Sequence, residues 1–240
     1  MCRPDFPFYA DKPVPLRAPQ WAALFGSLAL AFVLLSTTWL PFNTPWMKLI
    51  PAVLFCVVPL ACLAMVAGRH WTALFRKPGA AEMGWMAGIA VLNLAVTLML
   101  GLAFSAVHQA ASNPVFERIK AADAQDRMIS FVAMAPQLLG EELLTILPFL
   151  ACLWLFSTRL GIRRRGAIVL AWLVSALPFA LIHLPTYDWN IAQCLVVIGG
   201  ARLVLSLAYL VTRNLWVSTG AHLLNDWALL GAGMLLTSAA

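Results

Sequence analysis

The chain has 240 residues, 62% of them hydrophobic and only 11% charged, with a formal net charge of +6. A soluble domain carries about 25% charged residues, so a water-exposed globule is excluded, and basic residues clustered in short loops between apolar runs point to membrane topology rather than to nucleic acid. Runs of about 20 apolar residues recur from Trp21 onward, where a β-barrel would show short alternating segments; the composition predicts an all-α, polytopic transmembrane helical bundle of about seven spans.

Residues 1–20 read as a polar, proline-rich cytoplasmic tail with Arg3, Lys12 and Arg17 and no signal-peptide pattern, so the first helix is expected to be an uncleaved anchor. Two spans follow, roughly Trp21 to Leu40 and Met47 to Ala67, separated by the turn P-F-N-T-P-W at 41–46. A basic loop at 69–79 leads to a third span, roughly Met83 to Val107. His108 to Met128 is the longest polar segment and closes an N-terminal region, 21–128. The remaining region, 129–240, is expected to form the C-terminal transmembrane core. Its fourth span, roughly Ile129 to Phe156, holds Glu141 and Glu142 between Pro136 and Pro148, which are expected to kink or break the helix beside a cavity. The fifth span is roughly Gly166 to Leu184, the sixth Ile191 to Val211, and the seventh runs to about Leu236.

Charge fixes the expected orientation. With the N-terminus in the cytoplasm, that side holds Arg69, Arg76, Lys77, Arg159, Arg163, Arg164, Arg165 and Arg213 beside the basic residues of the tail. The other side holds Lys48, Arg118, Lys120 and Arg127, the last three offset by Glu117, Asp123 and Asp126. The bias favours N-in, C-out. The expected location is the bacterial inner (cell) membrane, with membrane lipid as the surroundings. Cys2, Cys56, Cys62, Cys152 and Cys194 form no C-x-x-C pair and read as small buried hydrophobes.

Most acidic residues fall in tails, loops or span edges; Glu141, Glu142 and Asp226 do not. A carboxylate at that depth is costly and marks a functional site by default. His183 and His222 also lie on apolar spans, and Arg202 is the only basic residue within one. Neighbouring helical side chains point about 100° apart, so Glu141 and Glu142 are not expected to face one spot: one faces the cavity, the other takes a supporting hydrogen bond or a cation. His222 and Asp226 are i and i+4 on one helix face, with Asn225 close to it. Bland readings stand beside these. A histidine in a membrane helix also serves as a packing hydrogen bonder, and Arg202 also reads as a snorkelling or structurally paired side chain.

Three motifs occur in order on predicted spans: E-E-L-L-T-I at 141–146, F-A-L-I-H at 179–183 and H-L-L-N-D at 222–226, the last approached through R-N-L-W-V-S-T-G-A-H at 213–222. Together they resemble the CPBP (Abi) family of intramembrane proteases, which includes the CAAX prenyl endopeptidases, over roughly residues 130–230. The resemblance implies hydrolysis of a peptide bond of a membrane-associated or prenylated-type substrate entering from the membrane. It implies Glu141 as general base aided by His183, His222 with Asp226 or Asn225 at the oxyanion, and Glu142 as supporting acid. No H-E-x-x-H motif is present; the reading is without a cofactor, and a divalent metal such as zinc is left open.

Two positions depart from the family pattern. Ile146 stands where the first motif has arginine, and Asp226 where the last usually has asparagine. Arg202 is expected to supply the missing charge from the sixth span. The alternative is a catalytically inactive relative with an immunity or scaffold role. A proton-coupled transporter also uses buried Glu and His, but the internal repeat common in transporters is not seen.

Overall fold

The computed structural model describes residues 5–36 and 44–238. Cys2, Arg3 and Pro4, the expected end of the first span at Leu40 and the first half of the turn after it lie outside the described residues.

Among the described residues every regular element is helical. The long helices are α1 (Ala18–Ser36), α2 (Leu49–Ala67), α3 (Ala80–Ser105), α5 (Ala124–Trp154), α6 (Arg164–Ile182), α8 (Gly199–Thr212) and α9 (Leu215–Ser238); α4 (Pro114–Ala121) and α7 (Ile191–Gln193) are short. Among the described residues six helical segments are long and apolar enough to cross a membrane by length and composition. The seventh expected span is α9, which turns Ser218, Thr219, His222 and Asn225 inward and buries them.

The bundle is organised around α5. Every residue from Gly140 to Ala151 is buried, and 72% of the most apolar stretch of α5 lies inside the protein, against 22–44% for the other five candidate spans. A helix apolar all round belongs in the centre, and α1, α2, α6, α8 and α9 pack about it. The outer helices keep one apolar face exposed, with Leu30, Val57, Met65, Val91 and Leu98 among the side chains left for lipid. Small residues set the closest approaches. The Phe55 ring of α2 lies where a Cβ at Gly140 would stand, and Met86 and Leu100 of α3 fill the space beside Gly220 of α9 and Gly200 of α8.

Several expectations change. Pro136 and Pro148 do not break α5, which runs as one 31-residue helix through both. The polar segment 108–128 contains α4, begun by Asn113, whose side chain accepts from the Val115 N–H. The sixth span is two helical pieces, α7 and α8, joined by a π turn at Cys194–Ile198. Such a turn inserts one residue and rotates the rest of the helix by about 100°, and periodicity carries no sign of it.

The segment read as a cytoplasmic tail is seated on the bundle. Phe6, Phe8, Tyr9 and Leu16 are buried. The Phe6 ring meets Phe149 edge-on at 5.2 Å and Tyr209 at 6.1 Å, with the Arg213 guanidinium 4.9 Å from its centre. Asp5 pairs with Arg164, and the Tyr9 hydroxyl donates to Asp5 at 2.7 Å. Three aromatics in four positions supply enough apolar area to anchor a stretch that has no helical period.

Side chains also tie the two ends of the bundle. At the end where the tail sits, Asn214 Nδ2 donates to the Arg76 carbonyl at 2.9 Å, while the Arg76 guanidinium reaches Glu82 at 2.9 Å and the Thr212 carbonyl. At the other end, Gln193 brackets the Ala111 backbone, accepting from its N–H at 2.8 Å and donating to its carbonyl at 2.9 Å.

Candidate active site

Glu142 is fully buried, and three side chains from two other helices close on it. Arg202 Nη2 of α8 lies 2.6 Å from Oε1, with both side chains wholly inaccessible. His222 Nδ1 of α9 reaches the same oxygen at 2.9 Å, and the Ser218 hydroxyl donates to Oε2. A buried carboxylate persists only when paired and hydrogen-bonded, and here both oxygens are taken. Ile146, one turn further along α5, is fully buried in the apolar core. The cation therefore comes from α8 rather than from α5 itself.

Glu141 has another environment. Its side chain keeps 11% exposure, Gln137 Nε2 donates to it at 3.1 Å, and its Oε2 stands 3.9 Å from His222 Nε2. Glu142 thus takes the cation and the supporting hydrogen bonds, and Glu141 the more accessible position. They meet the same imidazole from its two sides, because the ring bridges the angle between them: Nδ1 on Glu142, Nε2 towards Glu141. A carboxylate accepts and does not donate, so Nδ1 carries a proton. Asp226 Oδ1 lies 3.8 Å from the same Nε2, with 30% of its side chain exposed.

Phe179 links the remaining groups. Its ring centre lies 4.7 Å from that of His183 and 6.3 Å from that of His222, and the Arg202 guanidinium sits 4.9 Å over it. A cation held over an aromatic face inside a protein gains about 2 kcal/mol. His183 stands just past the end of α6 as its cap, partly exposed. Its Nδ1 lies 2.7 Å from the Phe179 carbonyl; a carbonyl only accepts, so Nδ1 donates and, in the neutral ring, Nε2 keeps the lone pair. No hydrogen bond joins His183 to Glu141 among the described residues.

Asn225 does not reach His222. Its Nδ2 donates to Asp226 Oδ1 at 2.9 Å, and its Oδ1 accepts from Asn93 Nδ2 of α3 at 2.9 Å. The fold thus joins Glu142, Arg202, His222 and Ser218 directly, sets Glu141 and Asp226 at His222 Nε2, and holds His183 to the group through Phe179. Among the described residues no three His, Cys, Asp or Glu side chains converge in an arrangement suited to a metal ion.

Sequence reasoning missed Ser218, Gln137, Asn93 and Tyr187. Ser218 and Gln137 each precede a named residue by four, which is a usable signal on a helix. Asn93 is a lone amide in an otherwise apolar span. Tyr187 gave no signal; it sits on the turn after His183, is buried, and accepts from Asn113 Nδ2 at 3.3 Å. Burial above all, with the nearby charges of Asp226 and Glu141, pushes its hydroxyl up to about 12, so it remains a donor.

Residues 124–228 match the family described as type II CAAX prenyl endopeptidase Rce1-like, the family group the three motifs resemble. The matched segment begins at α5 and includes Glu141, Glu142, His183, Arg202, His222, Asn225 and Asp226, while Asn93 lies outside it. No curated protein and no solved structure matches the chain.

Proposed function

We propose that this integral membrane protein is an intramembrane endopeptidase of the CAAX type, hydrolysing a peptide bond of a membrane-associated or prenylated substrate with water activated by Glu141 and His183. The observation that carries the reading is the two-sided engagement of His222: Nδ1 on the Glu142 carboxylate that Arg202 pairs, Nε2 open towards Glu141 and Asp226. The family match at residues 124–228 supports it.

In this reading Glu141 takes a proton from water as the water oxygen bonds to the substrate carbonyl carbon, and the carbonyl π electrons move onto its oxygen. The free Nε2 of His183 accepts a hydrogen bond from that water and orients it. His222, protonated at both nitrogens, donates from Nε2 to the oxyanion while Glu142 balances its charge. Glu141 then passes its proton to the amide nitrogen as the C–N bond breaks, leaving a carboxyl and an amine. An ionised Asp226 only accepts, so it offers the oxyanion no hydrogen bond, and its charge 3.8 Å from Nε2 favours the protonated imidazole. The basic end carrying Arg76, Arg164 and Arg213 supports a cytoplasmic N-terminus in a bacterial cell membrane.

The test is cleavage by the purified protein in detergent of a fluorescence-quenched peptide with a farnesylated cysteine near its C-terminus. The unmodified peptide and a chelator form the other arms. The reading predicts cleavage of the prenylated probe that His183→Ala abolishes without unfolding. A folded wild type that cuts neither probe favours a catalytically inactive relative in which Ile146 replaces the motif arginine.

A further inference from the structure

We propose that Asn93, on α3 and outside the matched segment, is a positioning residue that fixes the Asn225 amide and through it the Asp226 carboxylate beside His222. The inference rests on the endopeptidase reading of that site and adds a fifth helix, α3, to α5, α6, α8 and α9.

Three observations carry it. Asn93 is 1% exposed and Asn225 3%, so water does not compete for their bonds. The chain of contacts is unbroken: Asn93 Nδ2 to Asn225 Oδ1 at 2.9 Å, Asn225 Nδ2 to Asp226 Oδ1 at 2.9 Å, and that same oxygen 3.8 Å from His222 Nε2. The orientation of both amides then follows from Asp226. An ionised carboxylate cannot donate, so Asn225 must turn its NH2 to it; the Asn225 oxygen then faces α3, and only a donor satisfies it there. Asn93 is that donor, and its own Oδ1 is left buried without a partner among the described residues. An unpaired buried carbonyl is costly in hydrocarbon. An apolar residue at 93 would remove that cost but would leave the buried Asn225 oxygen without its donor.

The consequence is a defined place for Asp226. Released from Asn225, the carboxylate would be free to swing, since 30% of its side chain is accessible. It would then either close on His222 Nε2 or leave it. Either movement changes the hydrogen bonding of the nitrogen assigned to the oxyanion. α3 also touches α8 and α9, so the relay passes through the contact that seats α9 in the bundle.

The experiment uses the full-length protein, histidine-labelled with 15N, in detergent micelles, and reads the ring resonances of His222. Asn93→Asp is nearly isosteric but cannot donate when ionised. It draws the Asn225 NH2 away from Asp226, and the His222 Nε2 resonance is expected to move. Asn93→Leu removes the donor without adding charge and is expected to move it too, which covers the case in which the acidic variant does not fold. Asn93→Gln keeps a donor and is expected to return the resonance towards its wild-type position. In an Asn225→Ala background neither Asn93→Asp nor Asn93→Leu should have a further effect. Unmoved His222 resonances in folded Asn93→Asp or Asn93→Leu overturn the proposal, as do shifts of equal size with and without Asn225. Because the readout needs no substrate, failure here is distinct from absence of cleavage by the wild type.

Discussion

Arg202 on α8 and Glu142 on α5 meet at 2.6 Å with no accessible surface on either side chain. Breaking a buried pair from one side leaves an uncompensated charge and costs about 3–5 kcal/mol, whereas replacing both partners with apolar groups is often close to neutral. Arg202→Met and Glu142→Leu should therefore each lower thermal stability in detergent sharply. The double substitution should regain a good part of the loss, because Nε and Nη1 of Arg202 have no hydrogen-bond partner among the described residues. Activity should not return with it, since His222 Nδ1 would lose its carboxylate. Additive losses would show that the two residues act independently.

Gly140 gives a second prediction. The Phe55 ring occupies the place a Cβ would take, so Gly140→Ala overpacks the contact between α2 and α5. Overpacking costs about 1–3 kcal/mol. Phe55→Leu combined with Gly140→Ala should recover part of it, and a thermal denaturation cycle over the four proteins measures the coupling.

A third concerns the N-terminal segment. Burial raises the Asp5 carboxyl, but hydrogen bonds from Tyr9, Arg164 and its neighbouring backbone N–H, with the Arg164 charge, outweigh that and hold it below the usual carboxylate range. A depressed folded-state value means the contribution is full above the unfolded value of about 3.9 and is lost as pH falls through the folded one. The pair is half exposed, so the effect is within about 1 kcal/mol. Hydrogen exchange of residues 5–16 should accelerate in Asp5→Asn at neutral pH, and in wild type only in acid. Equal exchange in both proteins at neutral pH would contradict the clip.

A fourth addresses the bracket around Ala111. Gln193→Ala removes both side-chain bonds to its backbone, each worth about 0.5–1.5 kcal/mol. Exchange at 106–113 should rise while the amides of α5 stay protected. Unchanged exchange would mean that the segment is held by packing alone.

Much of this architecture is legible in the residues. Apolar length gives the helices, and the rarity of charge inside them isolates Glu141, Glu142, Asp226 and Arg202 without any structure. Facing is harder. The angle between adjacent side chains separates the glutamates, but an imidazole has two nitrogens and spans the gap, which no wheel projection conveys. Arg202 stands out as an anomaly in its span; its aim at Glu142 depends on the π turn before α8, and a one-residue insertion leaves no mark on hydropathy. The folded tail is hidden because Phe6, Phe8 and Tyr9 bury themselves without period. Asn93 escapes notice because one amide in a span reads as tolerated polarity until its partner on α9 is known.

In the proposed reaction Glu141 carries the proton of hydrolysis while Glu142 supports His222, and Glu141→Gln separates the two roles. Among the described residues Glu141 accepts a side-chain hydrogen bond only from Gln137 and is not part of the Arg202 pair, so Glu141→Gln should fold with a melting temperature close to wild type. Loss of a general base costs about 10²–10⁴-fold in rate, and turnover of the farnesylated probe should fall by that much with KM little changed. A folded Glu141→Gln protein that cleaves at the wild-type rate would rule out Glu141 as the general base.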